Sequence, residues 1–430
     1  MHSIKELLNL YKSNQLIPKN VVFDYIDNII NNDSYNTFIT ITQNKALEDI
    51  ENHSKKNFLI PISIKDIYDI KGYPTSNGYL YHKNDIACTS STMVKTLEEK
   101  GFLIVGKNNL TTYSTSVTSK NSIYGDVINP KNKYLTAGGS SSGSAVAVAS
   151  NMVPCALGSD TSGSTRIPAS CCGIVGLKPT YDKSNTTDMT PISQTLDHVG
   201  FLTRDVKDIE ILFAKLNNIS TTFKRKINIG VPLNYFSDNI DSEINDMMEE
   251  VYSNFKDIGF SLLPIDTSFL NNQDLITISR NIGTPEMAIY HTKYINQKLY
   301  PSYLKELFLK SKNITSIDYL KAMDDRLKLK NKFNKIFKKI DVLLTPTMPI
   351  KVPKTSEKNK FYNGSNYDIE NIMIKYTTVF NLTGHPAMTI PSGYILDNVS
   401  QGIQLIAPYN REHLLFDVAR SYEDFIAKQS

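Results

Sequence analysis

The 430-residue chain is poor in cysteine, carries almost no excess of either charge and contains no long apolar run. Its four cysteines, Cys88, Cys155 and the adjacent Cys171 and Cys172, include no C-x-x-C pair and no histidine three to five residues away. That spacing excludes a disulfide scaffold and a zinc site, and points to a reducing compartment. With 47 Lys+Arg against 43 Asp+Glu, the net charge of +4 gives no electrostatic footprint for nucleic acid. Any RNA contact is expected to be local or to belong to a partner. No stretch of 18 apolar residues occurs, so no membrane span is expected. There is also no G-x-x-x-x-G-K-[ST] loop for a nucleotide and no cluster of metal ligands, so neither is expected to bind this chain.

What is present is an alternation of apolar β-type runs with helical patterns from end to end. It predicts an α/β fold with one large mixed sheet covered by helices on both faces. Residues 58–64, 102–106, 153–160, 174–180, 226–233, 259–265, 340–349, 386–393 and 402–408 read as strands. Helical patterns cover 91–101, ended by Gly101, then 142–152, 241–257, 316–339 and 411–428. The first residues place Ile4, Leu7, Leu8 and Tyr11 on one helical face and show neither an h-region nor a cleavage site. They are expected to open the fold with helices within 3–32. The polar stretch 353–368 reads as a surface loop, and no linker divides the chain, so a single domain spanning 1–430 is expected, with a catalytic core at about 58–205.

The densest local signal is GGSSSGSAV, residues 138–146. Such a turn before a small-residue helix can cradle phosphate on backbone N–H groups, present the G-x-S-x-G nucleophile elbow centred on Ser141, or supply serines to a proton-transfer network. It can also be a polar helix cap. A second turn, GSDTSGSTR at 158–166, follows the next strand. A helix and a return strand between them bring both turns to one end of the sheet. A nucleophilic serine needs a base and N–H donors for the oxyanion; the backbone of Thr161, Ser162, Gly163 and Ser164 can supply the donors. None of the seven histidines, His2, His53, His82, His198, His291, His385 and His413, lies in a triad-like segment. Asp197 and His198 are neighbours that point apart on a strand. The remaining base is a lysine kept neutral by burial. Lys65 emerges directly from the apolar run IPISIK, and to act near neutrality its pKa must fall from about 10.4 to near 7, a cost of about 4 kcal/mol. A snorkelling side chain at a strand end is the other reading of Lys65.

Taken together, GGSSSGSAVAVASNMVPCALGSDTSGSTRIPASCCGIVGLKPT resembles the defining segment of the amidase signature family: two Gly/Ser turns flanking a small-residue helix and strand, closed by G-x-x-G-[LM]-K-P-[ST]. The resemblance implies a Ser-cisSer-Lys triad on Lys65, Ser140 and Ser164, with Ser140 relaying a proton between the other two. Within the family, SQTLDHVGFLTRDVKD at 193–208 and the order of segments are most similar to the A subunits of glutamyl-tRNA(Gln) amidotransferases, which are glutaminases. That likeness implies glutamine as substrate, with Arg326 taking its α-carboxylate and Asp397 its α-amino group. Both residue types suit those roles, though Arg326 can equally be a helix-face residue and Asp397 a turn residue. It also implies a partner, the B subunit of the amidotransferase, using ATP and Mg²⁺ and holding most of the tRNA, with a small third subunit. A free-standing amidase and a catalytically silent structural protein are the rival functions. The chain departs from the family at Ser162, where Gly-Gly usually precedes the nucleophile, and in the first turn, SSSGS instead of SSGGS. Its shortness and Asn/Lys bias resemble the mitochondrial proteins of yeasts, so a mitochondrion is the expected compartment and the cytoplasm the alternative.

Overall fold

The computed structural model describes residues 1–52, 58–182, 186, 188–217, 227–271, 273–297, 300–362 and 364–429. His53 and the first residue of the strand expected at 226–233 lie outside them. The strands are β1 (Phe38–Ile41), β2 (Ile60–Lys65), β3 (Phe102–Asn108), β4 (Cys155–Asp160), β5 (Val175–Lys178), β6 (His198–Thr203), β7 (Asn228–Pro232), β8 (Ser261–Ile265), β9 (Val342–Pro346), β10 (Asn359–Tyr362), β11 (Ser365–Asp368), β12 (Ala387–Leu396) and β13 (Val399–Ile406). Eleven of them form one sheet in the order β1-β3-β2-β4-β6-β5-β12-β13-β9-β7-β8. It is mixed: β2 runs parallel to β3 and β4, whereas β4 and β6 are antiparallel.

The strand period sorts the core. Along β3, Phe102 and Ile104 face one apolar cluster, and Leu103 and Val105 face another that includes Ala145 to Val148 of the helix Ser142–Ala149. Successive side chains on a strand point to opposite faces, so both faces of this sheet are buried under helices. In β2, Ile60, Ile62 and Ile64 join the first cluster. Lys65, one residue later, turns to the opposite face, where the small-residue helix begins. That helix packs closely because its residues are small, and at Gly143 close packing becomes a requirement: a Cβ there would lie 2.4 Å from the Asn109 carbonyl and 2.5 Å from that of Thr37.

All nine expected strands are present with shifted ends, and Gly101 closes the helix Thr92–Lys100 at a φ of +93°. Residues 3–32 form two helices, Ile4–Lys12 and Pro18–Asn32. The stretch 353–368 is not a plain loop, since β10 and β11 pair there as an antiparallel hairpin. The residues of β10 and β11 are exposed or half-exposed, so the pair carries none of the apolar alternation by which strands are read.

Replacing Gly143 with Ala is expected to lower the unfolding free energy by about 1–3 kcal/mol, the usual range for forcing a methyl into a packed site. Urea denaturation checks it, and an unchanged midpoint would show that the backbone at Asn109 and Thr37 yields freely.

Candidate active site

The two Ser/Gly turns meet at the carboxyl end of β4. Helix Ser142–Ala149 runs back to the strand that follows it, which puts Ser140 before the helix and Ser164 after the strand at one place. The Ser141 N–H donates to the Ser164 carbonyl at 3.1 Å and ties the turns together. Ser141 Oγ is occupied by the backbone of Ser159, donating to its carbonyl and accepting from its N–H, both at 3.2 Å. This is the role of a structural hydroxyl, not of an exposed elbow nucleophile. The peptide between Gly139 and Ser140 is cis.

Lys65 is fully buried, and its Nζ lies 2.7 Å from Ser140 Oγ and 2.8 Å from Ser159 Oγ. Burial pushes this amine down to about 7, against the opposing charges of Asp197 and Asp160. Near neutral pH about half of it is therefore unprotonated, and a neutral amine can accept the Ser140 proton. Ser159 gives no signal in the sequence, where it is one more serine in a serine-rich turn. The fold makes it the second oxygen holding the amine in place.

Ser164 is nearly buried and lines a cavity of about 210 Å³ together with Thr161 and Ser162. Of the four N–H groups expected to face an oxyanion, that of Gly163 is not available: it donates to Asp160 Oδ1 at 2.9 Å. The N–H groups of Thr161, Ser162 and Ser164 have no such acceptor in the turn, so of the four expected donors these three are left unclaimed. The reason is the buried Asp160 carboxylate, which also accepts from the N–H groups of Thr165 and Arg166 at 3.2 and 3.3 Å. Burial opposes its ionisation, but the adjacent Arg166 guanidinium outweighs that and holds the carboxyl well below the usual range. Arg166 reaches it through Nε at 3.0 Å and Nη2 at 2.8 Å, a bidentate fork. Gly163 has a φ of +127°, and a Cβ on it would stand 2.3 Å from Thr377 Oγ1, so this turn position accepts glycine alone. Ser162, where the resemblance leads to an expectation of glycine, is half-buried and lines the cavity, while its carbonyl accepts from Thr377 Oγ1 at 2.6 Å.

Asp197 completes the frame. Its carboxylate accepts from Thr161 Oγ1 at 2.6 Å and from the N–H groups of Ile192 and Ser193 at 3.0 and 3.1 Å. Burial pushes it up to about 7. His198, its neighbour, is turned away and bonds through Nδ1 to the Leu196 carbonyl at 2.7 Å.

The structure does not bring Arg326 or Asp397 to the cavity. Arg326, on helix Ser316–Ile336, sends Nη2 to the Thr195 carbonyl at 3.4 Å with its guanidinium over the Tyr181 ring, behind the segment whose Ile192 and Leu196 face the cavity. Asp397 sits with Asn398 in the two-residue turn joining β12 to β13. Both have positive φ, 51° and 70°, which short Asn and Asp side chains tolerate in such hairpins. Its carboxylate is half exposed and 3.9 Å from Lys351. Charged residues at the cavity are instead Arg280 and Glu370, from helices Leu275–His291 and Ile369–Met373. Neither stands in a motif that sequence reading singles out.

A family model described as amidase matches residues 20–416. The chain belongs to the amidase signature family. This amidase signature chain is 30% identical to the glutamyl-tRNA(Gln) amidotransferase A subunit of Clostridium botulinum (strain Eklund 17B / Type B), over 97% of its own length and 96% of the relative's. It is 28% identical to the corresponding A subunit of Pelagibacter ubique (strain HTCC1062), over 99% and 96%. Among solved structures, the Thermotoga maritima A subunit matches with a TM-score of 0.79 and 26% identity, covering 98% of this chain and 94% of that one. A crystal structure of an amidase superimposes with a TM-score of 0.89 over 98% and 99% of the two chains; at 23% identity this likeness concerns the fold.

Replacing Arg166 with Met is expected to cost about 3–5 kcal/mol of stability, because it leaves the Asp160 charge buried without its partner. Chemical denaturation measures it. A cost below about 1 kcal/mol would mean that Asp160 is not held ionised by this pair.

Proposed function

We propose that this chain is the glutaminase subunit of a glutamyl-tRNA(Gln) amidotransferase, working through Lys65, Ser140 and Ser164. The observation that carries the chemistry is the buried Lys65 amine in contact with Ser140 Oγ, beside a cavity whose inner end is Ser164. The full-length likeness to the A subunits of such enzymes supports the choice of substrate and complex.

In this reading neutral Lys65 takes the Ser140 hydroxyl proton while Ser140 takes that of Ser164. Ser164 Oγ forms a bond to the side-chain carbonyl carbon of glutamine, and the carbonyl π electrons move onto oxygen. The N–H groups of Thr161, Ser162 and Ser164 hold that oxyanion, fixed in advance by Asp160 and Asp197, so little reorganisation accompanies the charge. As the tetrahedral centre collapses, the C–N bond breaks and the proton returns through Ser140 to the leaving nitrogen, which departs as ammonia. Water, deprotonated by the same relay, then cleaves the γ-glutamyl ester and frees glutamate. The ammonia is consumed by the partner B subunit, which uses ATP and Mg²⁺ to convert Glu-tRNA(Gln) to Gln-tRNA(Gln); a small third subunit, mainly partner-borne tRNA and a mitochondrial setting belong to the same proposal. Neither cofactor has a role in this chain.

Ser164→Ala is expected to lower ammonia release from glutamine by at least about a thousandfold in the purified complex. Ammonium chloride should still support amidation of Glu-tRNA(Gln) by that variant. Glutamine-dependent amidation that survives the change would end the triad assignment. The pH dependence carries a definite sign: because the unprotonated amine is the active form, kcat/KM should rise with pH and reach half its plateau near 7. A profile that is flat from about pH 5 to 9, or that falls with rising pH, would remove Lys65 as the base.

A further inference from the structure

The near balance of charge over the whole chain conceals one lopsided segment. Between Asp325 and Asp341 lie seven basic residues and no acidic one. They occupy the second half of the helix Ser316–Ile336 and the turn that prolongs it, where the Phe337 and Lys339 N–H groups donate to the carbonyls of Phe333 and Ile336 at 2.9 and 2.8 Å. Ala322, Leu329 and Phe333 bury one stripe of this helix. At 3.6 residues per turn Lys321, Lys328, Lys332, Lys335 and Lys339 share a second stripe beside it, and all five are exposed. Lys328 is paired with Asp324 and Asp325. Among the described residues none of Lys332, Lys335, Lys338, Lys339 and Arg411 has an ion-pair partner. Past the end of the helix the stripe borders a cavity of about 640 Å³ lined by Lys338, Lys339, Arg411 and His413. Its one carboxylate among the described residues, Asp341, accepts the Asn228 N–H at 2.9 Å, and Asp417 stands close enough to His413 to feel its charge. Two separate parts of the chain thus place cations around one hollow.

We infer that this stripe and hollow bind the phosphate backbone of an RNA, with Lys332, Lys335, Lys339 and Arg411 each meeting a phosphate. The extent of the charge selects a polyanion. Lys332 and Lys339 are about 10 Å apart along the helix, too far for one small anion to neutralise both. A small anion would use the hollow and leave the stripe self-repelling, whereas a phosphate chain covers both. Arg411 adds a planar fork suited to phosphate oxygens, and the lysines act as point charges that follow a backbone without reading its bases. An acidic bilayer fits less well. A helix that lies on a membrane offers an apolar face to the lipid, and here Leu329 and Phe333 already spend that face on the core, while residues 331–339 expose no large apolar side chain. The choice of RNA among polyanions rests on the reading of this chain as part of a tRNA-amidating complex. The face itself lies on other residues than Lys65, Ser140 and Ser164, so the two readings can fail separately.

The test is fluorescence anisotropy of a labelled tRNA(Gln) transcript titrated with the full chain, purified with whatever subunits accompany it, at potassium chloride from about 50 to 200 mM. Wild-type protein should bind with an affinity that falls steeply as salt rises. Lys332→Gln, Lys335→Gln, Lys339→Gln and Arg411→Gln combined should weaken binding about 10-fold or more at the lowest salt. The same variant should lower the slope of log Kd against log salt by about three, as expected when four phosphate contacts are lost. The variant's thermal midpoint and its ammonia release from glutamine should match wild type, which separates a lost contact from a lost fold. A second variant, Lys5→Gln, Lys12→Gln, Lys19→Gln and Lys95→Gln, removes as much charge at exposed positions elsewhere and should leave affinity within about twofold. An equal loss from this second variant, no change from the first, or no binding by wild-type protein would overturn the inference. So would phosphatidylserine vesicles that bind wild-type protein and not the stripe variant while tRNA binding stays intact, a result that assigns the face to a membrane. Wild-type protein that binds tRNA through the stripe and releases no ammonia from glutamine would end the glutaminase reading and leave the RNA face standing.

Discussion

Everything at the site depends on one amine taken out of water. An ammonium in the interior is costly, and Lys65 meets that cost by giving up its proton near neutrality and by resting against two hydroxyls, those of Ser140 and Ser159. The strand that carries it makes the burial unavoidable. Ile60, Ile62 and Ile64 are committed to one face of the sheet, so the next side chain must enter the other, under the amino end of the small-residue helix. A polar group is thereby delivered to a place where only the serines of the two turns can satisfy it.

The second constraint is the distribution of backbone N–H groups in the turn around Ser164. Asp160 gathers three of them, from Gly163, Thr165 and Arg166, and is itself neutralised by the Arg166 fork. What it leaves unclaimed, at Thr161, Ser162 and Ser164, lies around the proposed nucleophile, Ser164. One buried ion pair thus shapes the turn and selects which donors face the cavity. Asp197 performs a parallel service for Thr161 through its side chain, and anchors the segment at Ile192 and Ser193 that walls the cavity. Stability and chemistry here use the same groups, so a substitution made to probe one will disturb the other.

Much of this is legible in the chain. The nine expected strands, the small-residue helix and the placing of Lys65 at a strand end follow from apolar periodicity and from Gly/Ser punctuation, which are local. The failures have local explanations too. The β10–β11 hairpin has no apolar face, and β1 is four half-buried residues at the sheet edge, too short to show a period. Arg326 and Asp397 are named by the family resemblance, and in the structure neither lines the cavity beside Ser164. Arg326 lies against the Thr195 carbonyl and the Tyr181 ring, and Asp397 lies in the turn between β12 and β13. Arg280 and Glu370 give no signal, because a charged residue on an amphipathic helix looks the same whether its neighbour is solvent or a cavity.

The sequence by itself determined the family, the sheet-and-helix alternation and the residues of the two turns, since these rest on composition and spacing within short segments. The tertiary structure alone decided which hydroxyls touch the amine, which N–H groups of the turn are left unclaimed and which charges line the cavity. Those outcomes turn on contacts between segments far apart in the chain, such as Asp160 with Asn381 and the Ser162 carbonyl with Thr377. The physical reason is that burial, and with it the satisfaction of each polar group, exists only after the strands have paired and the helices have closed over both faces.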